Sequence, residues 1–399
     1  MRAGLLVVGV VLASAGTAPS QFTLSTVDRA PLAGSPGGLD AQGRLVWRTG
    51  EGAEAFPLDR VVGFESSATE TPPPAGGVKL ELATGDVIYG RLEDGPADEV
   101  RLAVEGLGTL AFPLDDVRTL WNREGRSEEG IDLGKPDPND DRLFVERDGK
   151  LDHLAGVLER VTRSEVVFTS AAGDKRPFGF VKDRVVAVRL AGEAPASTAE
   201  RSALVKLVDG SRLSGALKAG ENGGLRLKIA GGPETALEAS RLKSVQMTGG
   251  AFAFLSDLPT ATYVQTPFLA GGRVHEMRRD AGARPGEPLR IGGERFGKGL
   301  LLHARSEATW RLDGAYRRFT ARVGVDPATR GAALPGAATL TVLVDGRPKW
   351  TGPTLRAGQD PVGVDADLSG GKELRIVVEF ADSFDAGARV VIGSPMLLK

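Results

Sequence analysis

The chain has 399 residues, 41% hydrophobic and 26% charged, the composition of a folded protein large enough for several domains. Its 50 basic and 52 acidic side chains leave a formal net charge of -2, so no basic surface is built for a phosphate backbone and nucleic acid is not an expected partner. The complete lack of cysteine excludes disulfides, thiol catalysis and cysteine-held metals.

In chain order, the first element is a leader. "MRAGLLVVGVVLASAGTAPSQF" combines Arg2, an apolar run from Leu5 to Leu12, and small residues at Ala13-Ser14-Ala15 or Ala18-Pro19-Ser20. That is the pattern of a secretory signal peptide over residues 1–20, with a retained N-terminal anchor as the alternative. The run is shorter than the roughly 20 apolar residues of a membrane helix, so no stable membrane span is expected after cleavage. The expected location is therefore exported: periplasmic, cell-surface or secreted. Export without cysteines fits a bacterial source better than a disulfide-rich secreted scaffold.

Next comes a repeat. "FPLDRVVGF" at Phe56 to Phe64 returns as "FPLDDVRTL" at Phe112 to Leu120 and, more loosely, as "FGFVKDRVVAV" at Phe178 to Val188. Ahead of these, "VKLELATGDVIYGRL" (Val78 to Leu92), "LFVERDGKLDHLAGVL" (Leu143 to Leu158) and "LVKLVDGSRLSGAL" (Leu204 to Leu217) share one plan. An alternating strand, a Thr-Gly or Asp-Gly turn, a second strand and a bend glycine follow one another, which reads as a β-hairpin. Four small β repeats are thus predicted at 21–65, 78–121, 142–190 and 203–248, each able to curl into a barrel and so remove its own sheet edges. The first lacks the Asp-Gly turn.

Between the repeats, residues 66–77, 122–141 and 191–202 read as polar, Pro- and Gly-bearing linkers. Asp137, Asn139 and Asp141 in "DPNDDR" have the alternate spacing of a calcium loop. However, Arg142 stands where that loop requires Gly and Asp148 where it requires Glu. Calcium and a solvated turn are the two readings. The repeats share only apolar strand positions and turn glycines, which suits spacer or interaction modules.

From 252 to 399 the pattern changes. Phe319, Ala321, Val323 and Val325, then Leu340, Val342 and Val344, then Leu374, Ile376, Val378 and Phe380 each alternate along a run. Such strands are half-buried against a second sheet, and the segment is predicted to be a jelly-roll β-sandwich. The expected fold class is therefore all-β, with that sandwich preceded by about four barrel-like repeats. Trp310, in phase with Ala308 and Leu312, reads as a core residue.

"FLSDLPTATYVQTPFL", "PLRIGGERFGKGLLLHARSEATWRLDGAYRRFTARVGVD", "TLTVLVDGRPKWTG" and "LSGGKELRIVVEFADSFD", in this order, resemble the NPCBM module, a carbohydrate-binding module found attached to some glycoside hydrolases. The most telling pieces are Lys298, Gly299, His303, Ala304 and Ser306, the Val-Gly-Val-Asp ending at Asp326, and the turn at Asp345 and Gly346. The resemblance implies a sandwich that holds glycan or polysaccharide. It also departs from the family, which commonly closes with an Asp-His-x-Asp-Trp-like segment where this chain has Arg389, Val391 and Ile392. A hard cation such as calcium would need acidic oxygens there.

The candidate ligand contacts are His303, Arg305 and Trp350, joined by Lys298, Ser306 and Asp326 from the family motifs. Sugars need a few placed donors and an aromatic face in a shallow pocket. For His303 the alternative is a structural hydrogen bond at a strand end. A catalytic role is not expected: there is no Gly-x-Ser-x-Gly elbow or His-Glu-x-x-His, only three histidines are present, and no large cleft-bearing domain is evident. The expectation is an exported, non-catalytic glycan-binding protein; the alternative is a structural or assembly protein of the bacterial envelope that binds other proteins.

Overall fold

A computed structural model describes residues 22–124, 128–192, 202–284, 286–331, 335–382, 384 and 386–399. The leader of residues 1–20 and most of the spacer at 191–202 lie outside the described residues. Strands carry nearly all the regular structure, and the helices among the described residues are single 3-10 turns of three residues. The chain is all-β and divides into two units, the second beginning at Thr248.

The first unit holds four copies of one five-stranded design. Their first and last strands are Phe22–Thr26 and Val61–Ser66, Val78–Leu82 and Val117–Asn122, Asp141–Arg147 and Val185–Arg189, and Ser202–Leu207 and Leu242–Thr248. In each copy the first strand pairs with both the second and the last, which curls the sheet back on itself. The bend glycine sits where the second strand changes partner. Gly90 pairs with Val78 of the first strand, and the next residue, Arg91, pairs with Ala103 of the third. A β-carbon at Gly34, Gly90, Gly156 or Gly215 would run into the carbonyl oxygen of Arg48, Ala103, Thr169 or Lys228. Close approach of two backbones at a barrel corner leaves room for hydrogen alone.

The repeats join through equivalent strands. The last strands of repeats 1 and 4 pair antiparallel, Phe64 opposite Val245, and those of repeats 2 and 3 do the same, Leu120 opposite Val188. Repeats 2 and 4 meet at their hairpin turns, Val87 opposite Arg212. There the Ser214 amide donates to Asp86 Oδ2 (2.9 Å) and the Tyr89 amide to Ser211 Oγ (3.1 Å). The four copies are therefore connected in the order 1, 4, 2, 3.

Two of the linkers are more than spacers. The Thr71 amide donates to Val208 O (2.8 Å), and Glu70 pairs with Lys206 (2.7 Å). Leu133 is buried in a cluster with Trp121, Phe144 and Ala187. The calcium-loop positions are internally bonded as well. Asp137 accepts from the amides of Asn139 and Asp140 and pairs with Arg142, while Asp141 accepts from the amides of Leu158 and Ala191. Arg142 thus occupies Asp137 with its own charge, and the segment behaves as a capped turn.

The second unit is a two-sheet sandwich. One sheet runs Arg278–Arg279, Gly299–His303, Arg389–Leu398, Arg318–Val325, Val362–Asp367; the other runs Thr262–Gln265, Ser306–Arg311, Glu373–Phe380, Ala337–Val344, Arg347–Thr351. The alternating residues read from sequence meet between them: Phe319, Val323, Val325, Leu340, Val342, Leu374, Ile376 and Val378 share one buried core, and Trp310 lies fully inside it. Asp345 and Gly346 both have positive φ (48° and 74°), as a tight hairpin turn of the mirror-image kind requires. The Asp345 carboxylate then accepts the amides of Lys372 and Glu373.

Candidate functional site

The stretch from Gly299 to Arg311 crosses the sandwich from one sheet to the other. Alternation along Gly299–His303 sends Leu300 and Leu302 into the core and Leu301 and His303 to the outer face. At Ala304 and Arg305 the chain turns across the edge, through a cis Ala304–Arg305 peptide, and Ser306 begins the second sheet.

The loop after Gln265 folds back over this corner. Gln265, itself buried, donates from Nε2 to Ala304 O (3.3 Å) and accepts the His275 amide at Oε1 (3.0 Å). Thr266 donates its amide to Arg305 O (2.9 Å). Tyr263 donates to His275 O (3.1 Å), and burial pushes its phenol above the usual range, so it stays a neutral donor. These bonds bring the His275 ring flat against His303, with centroids 3.9 Å apart and an interplanar angle of 4°.

The stacked imidazoles line a cavity of about 630 Å³ whose walls include Arg273, Glu276, Arg278 and Leu301. Its volume is in the range of small-ligand sites. Beside it, on the neighbouring strand, Arg389 lies opposite His303 and pairs with Asp326 (3.4 Å). A second cavity of about 340 Å³ is lined by Asp326, Arg290 and Glu287 and shares Leu301 and Ala283 with the first.

An exposed aromatic ring on the same loop meets another on the connection after Glu373–Phe380. Phe268 (47% exposed) lies 4.3 Å from Phe384 (50% exposed), with Phe380 at its edge, 5.6 Å away. Next to Phe380 in sequence, Glu379 pairs with Arg305 (3.1 Å).

The six sequence-chosen residues therefore occupy several different places. His303 faces the larger cavity, Asp326 the smaller, and Arg305 the aromatic side of the corner. Ser306 has no exposed surface, because it begins a strand whose alternation turns it inward. Trp350 stands on an edge strand opposite Val342, three strands across from the strand that begins at Ser306, roughly 14 Å away at ordinary strand spacing. It folds over Gly352 and packs partly into the core, so His303, Arg305 and Trp350 do not share one cleft. Lys298 is a clamp. It pairs with Asp257 and with Asp280 (2.6 Å), and although burial alone would lower its pKa, these two bonds outweigh it and raise the value.

Reading the sequence missed His275, Phe268 and Phe384. His275 sits in "HEMRR", which has no ligand spacing, and both phenylalanines lie in connections without periodicity; their only signal was a large aromatic outside any strand pattern. Nor do the residues at the closing segment fit a calcium ion. Val391 and Ile392 are buried strand residues, and Arg389 brings a cation to the position where a hard metal would need acidic oxygen.

What fold and corner define is a β-sandwich module with polar and exposed aromatic side chains gathered on the connections at one edge. Residues 253–397 match the NPCBM/NEW2 domain, so the second unit is an NPCBM domain. A protein of Renibacterium salmoninarum named "Putative endo-alpha-N-acetylgalactosaminidase" is 28% identical over 128 residues, 31% of this chain and 8% of that protein. The chain thus spans under a tenth of the length of the curated relative it matches. Among solved structures, the CBM51 of Clostridium perfringens GH95 in complex with methyl-galactose aligns at 21% identity. It covers 37% of this chain and 99% of that one, with a TM-score of 0.32. The CBM51-2 and INT domains of Clostridium perfringens ZmpB align at 18% identity over 46% and 40%, with a TM-score of 0.34.

Proposed function

We propose that the chain is an exported, non-catalytic carbohydrate-binding protein whose sandwich holds glycan at the corner around His303, with the four repeats as spacer or interaction modules. The carrying observation is the NPCBM match over residues 253–397. The corner adds what a sugar needs: exposed rings at Phe268 and Phe384 for C–H faces, and Arg305, Glu379 and the imidazoles of His275 and His303 for hydroxyls. A glycan array with the full chain, His303→Ala and Phe268→Ala tests this. Both variants should lose signal while Trp350→Ala keeps it; unchanged binding in the first two would move the site. Export is tested by fractionating the native source and sequencing the mature N-terminus, which should begin near residue 21.

A second reading, an envelope protein that binds other proteins through its repeats, draws on exposed apolar side chains at Val181 (74%) and Val157 (54%). Replacing both with serine should abolish envelope-protein capture and leave glycan binding unchanged.

A further inference from the structure

The arginines of the sandwich differ in whether a carboxylate faces them. Arg305, Arg318, Arg322, Arg356 and Arg389 each face a carboxylate, on Glu379, Asp365, Glu294, Asp382 and Asp326 respectively. The three on the wall of the larger cavity do not. Arg278 donates from Nη1 to the carbonyls of Gly282 (2.7 Å) and Ala283. Arg279 donates to the carbonyls of Ser256 (2.5 Å) and Leu258 (2.7 Å) and to the Thr260 hydroxyl. Arg273 is exposed and meets no carboxylate among the described residues.

Carbonyl oxygens satisfy donors without cancelling charge. A guanidinium has five N–H groups, so Arg278 and Arg279 keep donors beyond these bonds. Glu276 is the one acid among the residues lining the cavity, against the guanidinium groups of Arg273 and Arg278; Arg279, opposite Leu300, turns its own to Ser256, Leu258 and Thr260. Two imidazoles add ring nitrogens at the same wall. A neutral sugar would satisfy donors there and leave the excess positive charge as it is, whereas an anionic substituent would do both. The space, about 630 Å³, is ample for a six-membered ring and not only for a small inorganic anion.

We infer that the cavity bounded by Arg273, Arg278, His275 and His303 selects an acidic sugar, one whose ring carries a carboxylate or a sulfate. This rests on the reading of the domain as a glycan binder and adds the chemical class of the glycan.

The experiment is calorimetric titration of the full chain with matched pairs: galacturonate against galactose, glucuronate against glucose, and galactose 6-sulfate as the sulfate arm. At low salt the acidic member of at least one pair should bind about ten-fold tighter than its neutral parent. That advantage should shrink as salt is raised, because part of it is screened. Arg273→Gln, at an exposed side chain with no internal bond among the described residues, should weaken the acid several-fold more than its neutral parent and so reduce the advantage. Arg278→Gln should act the same way, with circular dichroism confirming the fold. Equal affinity for acid and parent overturns the acidic-sugar inference while glycan binding stands. An acid preference that survives both substitutions places the charge recognition elsewhere and also overturns it. Failure of every sugar, acidic or neutral, overturns both readings.

Discussion

At the scale of single residues, the corner is held by one amide side chain. Gln265 uses both ends of its amide, on Ala304 O and the His275 amide, and so fixes the loop that carries His275 onto the strand end that carries His303. Gln265→Met keeps volume but orphans two backbone groups, the buried Ala304 carbonyl and the half-buried His275 amide. A loss of about 1–3 kcal/mol is expected in urea unfolding, together with lower affinity for any ligand of the cavity; an unchanged midpoint would show that the loop is held by other bonds. His303 was legible because it lies inside an ordered family motif. His275 was not, since its role arises only when a loop without periodicity returns to the corner. Lys298, chosen as a ligand contact, is a lysine between two carboxylates, and sequence spacing cannot show that Asp257 and Asp280 converge on it. Its pKa is raised in the fold, so its contribution to stability is complete below the ordinary lysine value and is lost as pH rises through the folded one. Lys298→Met should therefore be less stable than the parent chain at pH 7, with the gap narrowing above about pH 10.5. A gap that is constant with pH would mean that packing, not charge, is responsible.

At the scale of elements, the repeats were readable because their turn dipeptides and bend glycines are local requirements. The glycine marks a strand changing partners, and Gly215→Ala would press a methyl group onto Lys228 O. A cost of about 1–3 kcal/mol is expected from such overpacking, measurable as faster amide exchange around 212–219 and 225–229. What could not be read was how the copies meet, because that depends on pairing between residues from 68 positions apart, Leu120 with Val188, to 181 apart, Phe64 with Val245. The stretch 66–77 has the composition of a free linker, yet Thr71 and Glu70 dock it on repeat 4; composition reports solvation and not contact. The Asp86 carboxylate at the turn contact has its pKa raised, chiefly by burial, with the bonds from Ser214 opposing. A raised carboxylate is penalised in its charged form, so the penalty is full above the folded pKa and vanishes toward the unfolded value near 3.8. Asp86→Asn, which keeps an acceptor for Ser214, should gain stability at pH 7 and lose that gain near pH 4. Equal effects at both pH values would refute the burial argument.

At the scale of the whole chain, two kinds of contact alternate within the repeat unit: last strand to last strand for repeats 1 with 4 and 2 with 3, and turn to turn for 4 with 2. In each, equivalent residues face one another, as in a local twofold arrangement. The sequence explains why the row stops at its ends. Repeat 1 pairs Phe22 with Gly34 as repeat 2 pairs Val78 with Gly90, so the places of Asp86 and Val87 are taken by Ala30 and Pro31. Alanine offers no acceptor and proline no N–H, which blunts the edge. In repeat 3 the pair is Asp141 and Gly156, a longer hairpin that would carry its turn past the contact. If the turn contact depends on the side-chain acceptors at Asp86 and Ser211, converting both to alanine, as repeat 1 already has it, should open this junction selectively. The amides of Tyr89 and Ser214 should then exchange faster by about ten-fold or more for each lost bond of about 1.4 kcal/mol. The last-strand amides at 119–121, 187–189 and 244–246 should keep their protection. Protection unchanged at Tyr89 and Ser214 would mean that the apolar contacts around the turns join repeats 2 and 4, and that Ala30 and Pro31 are not what ends the row.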